Sequence, residues 1–184
     1  MKQHILPAIK LTLVCVLLFM ITYPALIWAV AQAAPAKGEG ETVTVNGKTV
    51  GYRLEGQMFN NGRYFWSRPS AVGYNAAGSA GSNKGPSNPD YLKEVQARID
   101  TFLAHHPGVS KAQLPSDMVT ASGSGLDPDI SLQAAGIQAE RIAKFRNIAK
   151  DKIDALIRHH IEKSINGIER INVLSINIAL DQLK

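Results

Sequence analysis

Residues of the types that chemistry uses fall at a few places in this sequence, and most of the patterns break on inspection. Gly47-Lys48-Thr49 has the closing residues of a phosphate-binding loop. That loop needs a further glycine five positions ahead of the Gly-Lys pair, so that backbone N–H groups can cradle phosphates, and Thr42 stands there. Ser124, between Gly123 and Gly125, invites a serine nucleophile. A hydrolase elbow, however, places glycine two residues before and two after its serine, where this chain has Ser122 and Leu126. Asp127 and the histidines therefore have no ordered nucleophile to serve. His105-His106 and His159-His160 are paired, but neighbours on a helix point about 100° apart and cannot close on one metal from one helix. Near helix C-termini they suit cations facing the negative end of the dipole. Two glycine- and hydroxyl-rich stretches remain, Gly78 to Ser87 and Thr120 to Asp127. They form either nests of backbone N–H groups for an anion or tight turns closed by Ser, Asn and Asp side chains.

The elements that must position these residues begin with an apolar run. Leu11 to Ala31 covers 21 residues without a charged side chain, long enough as a helix to reach roughly 32 Å, the depth of a bilayer core. A cleavable signal peptide competes, with Lys2 and Lys10 as its positive start and Ala31-Gln32-Ala33 as a small-residue cleavage site. Signal h-regions run to about 7–15 residues, and Tyr23 and Trp28 suit a spanning helix that continues to an interface, so the expectation is an uncleaved anchor. The positive residues ahead of the run place residues 1–10 in the cytoplasm, 11–31 across the membrane, 32–40 in a linker and 41–184 outside. Pro24 removes one backbone hydrogen bond and is expected to kink the span unless its freed carbonyl finds another donor.

Beyond the linker, Thr42–Val45 and Lys48–Leu54 alternate across Asn46-Gly47, a strong hairpin signal. Gly56 to Pro89 is rich in Gly and Pro yet carries Phe59, Tyr64, Phe65, Trp66 and Tyr74, which a flexible linker does not need. It reads as a long ordered loop system with short strands. Asn88 before Pro89 caps a helix that ends near Pro107-Gly108. Ser131, Asn147 and Asn172 read as caps of three more, with apolar faces through Ile142, through Ile153 and Ile157, and through Ile176 and Leu180. The fold class is α+β: one N-terminal transmembrane helix, then a small extracytoplasmic domain with a hairpin or small sheet and about four helices.

Composition narrows the function further. Hydrophobic residues make up 45% and charged residues 19%, outside the disordered class. From Pro35 on, 18 bases and 15 acids are interspersed, not gathered into the basic stripe that nucleic acid requires. The one cysteine, Cys15, excludes an intramolecular disulfide and a cysteine zinc cage.

Two long motifs carry more than any short pattern. The stretch FWSRPSAVGYNAAGSAGSNKGPSNP, Phe65 to Pro89, followed by VTASGSGLDPDIS, Val119 to Ser131, resembles the C subunit family of the bacterial Kdp potassium-transporting P-type ATPase. The likeness extends to the N-terminal span, Gly56-Gln57, Phe59, Ala134-Ala135, Gln138, Arg141, Arg146, Asn172-Val173-Leu174, Asn177 and Leu180-Asp181. It implies a non-catalytic subunit of a high-affinity potassium pump of the bacterial plasma membrane. Its implied partners are a potassium-conducting subunit, an ATP-hydrolysing subunit and a small membrane subunit. The family is also described as a chaperone that raises the ATP affinity of the ATPase subunit, so ATP is a family-level ligand, and no catalytic or metal residue is implied. Within the motifs, Arg68, Asp127 and Arg141 are expected to fix the two loops, with Ser67, Asn83 and Ser122 supplying hydrogen bonds. Phe65, Pro69, Ser70, Gly81, Ser82, Thr120, Ser124 and Gln138 complete the expected assembly motif.

Overall fold

The computed structural model describes residues 2–183. Met1 and Lys184, the outer ends of the expected N-terminal segment and C-terminal domain, lie outside the described residues, as does the Lys2 side chain. The chain divides into two compact units, residues 1–41 and 42–184.

The first unit is a helix apolar enough and long enough to cross a membrane, 29 residues over Gln3–Ala31, with none of its apolar window buried. It starts ahead of the charge-free run, so most of the expected cytoplasmic segment is helical too. It comprises α1 (Lys2–Val16), a π-helical turn (Leu17–Thr22) and α2 (Tyr23–Ala31). The turn is how the helix carries Pro24. Tyr23 N–H reaches Leu18 O, five residues back, and the Thr22 hydroxyl donates to Leu17 O at 3.1 Å. Widening by one residue ahead of a proline absorbs the missing donor within the helix. The expected linker is a structured turn, Pro35–Gly38, with Ala36 and Lys37 in the left-handed region.

The second unit opens with the expected hairpin, β1 (Thr42–Val45) and β2 (Lys48–Tyr52), paired antiparallel. Asn46 and Gly47 both take positive φ, 50° and 76°, as a two-residue primed turn demands. From Gly56 to Asn88 the chain is ordered, as its aromatics require, but among the described residues it holds no strand. Its regular structure is a 3-10 turn at Ala76–Gly78.

Four helices follow, as expected. In α3 (Pro89–His105), the Asn88 side chain accepts from Asp90 N–H and Tyr91 N–H; Ser131 caps α4 (Leu132–Arg146) through Ala134 N–H, and Asn172 caps α6 (Val173–Gln182) through Ser175 N–H. Asn147 does the opposite of what its type and place imply. It lies in the left-handed region, φ 55°, and closes α4, while Ala149 starts α5 (Lys150–His159) without a side-chain cap. Asn tolerates that conformation almost as glycine does, so one residue type serves at either helix end.

A second sheet has no clear signature in the sequence. It is antiparallel, with β3 (Asp129–Ser131) and β4 (Glu162–Lys163) on either side of β5 (Glu169–Asn172). Ile130 and Ile171 pair across it and are buried with Ile142, Ile153, Ile157, Ile176 and Leu180 of the helices. α4 brings only small residues to much of this core, with Ala134, Ala135 and Ala139 fully buried, which lets it approach closely. Each fully buried isoleucine contributes about 1.5–3 kcal/mol.

Candidate functional site

The two motif stretches meet, and the first of them is anchored by side chains that replace a neighbouring strand. Phe65 N–H donates to Asn177 Oδ1 at 2.8 Å and Asn177 Nδ2 donates back to Phe65 O at 3.0 Å. Trp66 N–H donates to Gln138 Oε1 at 2.7 Å, and Gln138 Nε2 donates to Trp66 O at 3.4 Å. Two amides on α6 and α4 thus give Phe65 and Trp66 the paired bonds that a sheet would have given, and Phe65 can be fully buried although no strand accompanies it.

Arg141, 4% exposed on α4, holds the same segment from below its aromatic rings. Its Nη1 donates to Gly62 O, its Nη2 donates to Tyr64 O and to Gln138 Oε1, each at 2.9 Å, and its Nε donates to His106 Nε2 at 2.8 Å. The guanidinium lies 4.7 Å from the Trp66 ring centroid. Since Arg141 is a donor only, His106 Nε2 is the accepting nitrogen, and the imidazole carries its proton on Nδ1, donated to Phe102 O at 2.7 Å. His106 also stacks on Phe102, with centroids 3.8 Å apart.

Burial is the largest influence on His106. It lowers the pKa, the bond to Phe102 O raises it, and Arg141 and His105 lower it further, to about 4 in all. The expectation of a cation facing the helix dipole is therefore overturned for His106: desolvation and a neighbouring arginine outweigh the dipole, and the ring is neutral. Arg141 is pushed down to about 10 by burial and stays charged at neutral pH.

From this anchor the first loop runs out to meet the second. Ser67 Oγ donates to Gln57 O at 2.7 Å, and Arg68 Nη1 pairs with Asp127 Oδ2 at 2.6 Å. Ser70 is a small hub, with Oγ donating to Gly125 O at 2.6 Å and accepting from Val72 N–H and Tyr74 N–H. Tyr74 closes the turn by donating its hydroxyl to Arg68 O, and burial raises its pKa. Ser122 N–H donates to Pro69 O at 3.3 Å, and Ser79 Oγ donates to Ser124 O at 2.9 Å. Gly125, φ +68°, passes under Val72 and Ala80. A Cβ there would stand 2.6 Å from Val72 Cγ2 and 2.8 Å from Ala80 O, so the loops close on each other only through glycine.

The structure thus divides the expected motif residues. Arg68, Pro69, Ser70, Ser122, Ser124 and Asp127 join the loops, with Gly81 against Gly123 and Ser67 tying the first loop to Gln57. Phe65, Gln138 and Arg141 form the buried anchor beneath them, so Arg141 fixes the entrance of the first loop and does not bridge to the second. Thr120 bonds to Ser116 O instead, through both its N–H and its hydroxyl. Ser122 contributes through its backbone, its N–H donating to Pro69 O and its carbonyl accepting from Gly125 N–H. Asn83 is exposed in the left-handed region, φ 52°, and Ser82 beside it is half-buried; neither takes part in the loop-joining bonds described above. Tyr74, Gly125 and His106 also belong to the site, though nothing in the sequence assigns them these roles. Asn177 offered a signal: it is an amide on the face of α6 that otherwise buries Val173, Ile176 and Leu180.

Asp127, Asp129 and Arg170 line both of two clefts at this place, of about 460 Å³ and 540 Å³. Arg170 pairs with Asp129 at 3.2 Å, yet burial raises the Asp129 carboxyl above the ordinary range. The loops are neither open nests nor an elbow: the bonds described pin them to each other. Among the described residues no group of three or more His, Cys, Asp or Glu side chains is placed to hold a metal ion. What the arrangement does chemically is preorganise a rigid polar surface.

Comparison with known proteins agrees with the two motifs. The family model described as KdpC, K+-transporting ATPase, c chain, matches residues 5–182. A "Potassium-transporting ATPase KdpC subunit" of Flavobacterium johnsoniae is 55% identical over 99% of this chain and 100% of its own. Proteins of the same name from Bacteroides fragilis and Methylococcus capsulatus are 49% and 41% identical, over 99% and 100% of this chain and 98% and 100% of theirs. A match that runs through the apolar helix, both motif loops and the final helix places this chain in the KdpC family, the c chain of the K+-transporting ATPase.

Proposed function

We propose that this chain is the accessory subunit that assembles and stabilises the pump, holding its potassium-conducting and ATP-hydrolysing subunits together with a small membrane subunit. Family membership makes it a subunit of a potassium-transporting ATPase, not an enzyme by itself. The N-terminal helix packs against companion helices in the plasma membrane, and the C-terminal domain rests over the outer mouth of the potassium-conducting subunit. The observation that carries this reading is a pair of family motifs locked to each other into a preformed surface, in a chain that also carries a helix whose apolar residues are unburied. Gly47-Lys48-Thr49 lies on a tight hairpin turn, not ahead of a helix, so this stretch offers no phosphate cradle. On this reading any gain in ATP affinity is indirect, through assembly.

Purification of the tagged full-length chain from membranes is expected to bring down a P-type ATPase and a large multi-spanning protein. Alanine at Arg68 or Asp127 removes a partly exposed ion pair, worth about 1 kcal/mol, and loosens the loops. Both variants are expected to lower complex yield and potassium-stimulated ATPase activity, and unchanged yield and activity would count against the loops' role.

The placement of the C-terminal domain outside the cytoplasm has its own test. Lys93 is well exposed on α3, so an impermeant amine reagent is expected to label it in intact spheroplasts. Labelling only after lysis reverses the topology.

A further inference from the structure

The turn joining β4 to β5 is closed by its own hydrogen bonds and carries two bare isoleucines. Ser164 N–H donates to Ile168 O at 3.0 Å, and Gly167 N–H donates to Ser164 O at 2.8 Å. On this closed turn Ile165 is 110% exposed and Ile168 62%. A mobile loop tip would carry such residues at little consequence; a hydrogen-bonded one holds them out at low entropic cost to anything that receives them. Ile168 lines the 540 Å³ cleft together with Arg68 and Asp127, so the tip is continuous with the docked motif loops. Leu54, 69% exposed, lines the 460 Å³ cleft beside Ser79 and Ser124. Aliphatic side chains therefore stand at the margin of both clefts.

The charge of this face is the reverse of the chain's. The protein carries +5 overall, whereas the two clefts together bring three arginines against six carboxylates, a local balance of −2 once Lys163, paired to Glu169 at 3.3 Å, is counted. An anionic lipid surface is repelled by such a face, and a second copy docking the same face would bring acid against acid. A basic protein surface is complementary.

We propose that this face seats a companion subunit of the pump, whose surface offers an aliphatic pocket for Ile165 and Ile168 bordered by lysine or arginine side chains. The proposal rests on the assembly reading and names the surface that reading leaves open. The two isoleucines are the anchors, the carboxylates set orientation and encounter, and the locked motif loops keep the floor of the face in one shape.

The test uses the full-length chain in the complex purified from membranes, with a photo-crosslinking amino acid at Ile165 and, as control, at Leu92, an exposed residue of α3 that lines neither cleft. The expected result is an adduct between position 165 and a companion subunit, absent from position 92. In parallel, Ile165→Asp combined with Ile168→Asp is expected to lower recovery of companion subunits by about tenfold or more, with the chain's own unfolding midpoint unchanged because both residues are on the surface. Adducts to lipid or to a second copy, or no adduct together with full recovery, overturn the proposal while leaving the assembly reading intact. Absence of companion subunits from the wild-type preparation overturns both.

Discussion

Alanine at Arg141 is expected to lower the unfolding free energy of the C-terminal domain by about 2–4 kcal/mol, followed by denaturant titration of the purified protein. The guanidinium is the donor for Gly62 O, Tyr64 O, Gln138 Oε1 and His106 Nε2 at one buried point. Removing it strands the Gly62, Tyr64 and His106 acceptors, each at about 1–3 kcal/mol before relaxation, while Gln138 Oε1 keeps its bond from Trp66 N–H. The loss stays below the sum because the cation's own desolvation is relieved, as the depressed Arg141 pKa indicates. The segment that loosens is the one bearing Trp66, so its fluorescence is expected to shift to the red in a Trp28→Phe background. Arg141→Lys is expected to recover little, since an ammonium group is a point donor and cannot span acceptors on three elements. A loss under about 0.5 kcal/mol, within the ordinary range for surface substitutions, sinks this account of the anchor.

Acid is expected to destabilise the domain through His106. The ring is buried neutral, with its pKa lowered to about 4 from 6.5 in the unfolded chain. Above pH 6.5 neither state binds the proton and the full stability is present. As the pH falls from 6.5 toward 4 the unfolded chain takes up a proton that the folded chain refuses, so stability falls by up to about 1.4 kcal/mol per pH unit, roughly 3 kcal/mol in all. Below pH 4 the folded ring protonates too and the loss levels off. The charge arrives beside the Arg141 guanidinium, on the nitrogen that had accepted its Nε–H, so the hydrogen bond is lost with it. Asp129 works in the opposite sense: its raised pKa contributes stability that is present in acid and lost as the pH rises. His106→Gln isolates the histidine, because glutamine can accept from Arg141 without titrating. The variant is expected to flatten the stability profile between pH 6.5 and 4, and an unchanged slope would show that other groups set it.

These two residues also mark where sequence reading stopped. Arg141 was legible as a motif residue, but its target was not: an arginine invites a carboxylate, and here it meets carbonyls 77 and 79 positions away along the chain. His106 was legible as a residue at a helix end, where the dipole favours the cationic form. Burial against Phe102 and Trp66, which α3 alone does not provide, makes it neutral. The three-stranded sheet escaped for a related reason, since strands of three, two and four residues are too short to show alternation.

What the sequence determined by itself is what a few neighbouring residues decide. The uncharged run from Leu11 to Ala31 has no means of solvating itself and must be a long apolar helix, Asn46-Gly47 turns a hairpin, and Asn88, Ser131 and Asn172 cap helices, because each effect acts over a handful of bonds. The motif loops could also be named from sequence, and so could the family they resemble. Only the tertiary structure decided that those loops close on each other, that side-chain amides from α4 and α6 stand in for a strand beside Phe65 and Trp66, and that Asn147 ends a helix instead of starting one. These outcomes depend on burial and on partners brought from distant parts of the chain, and desolvation, the quantity that ranks the alternatives, has no value until the chain has folded.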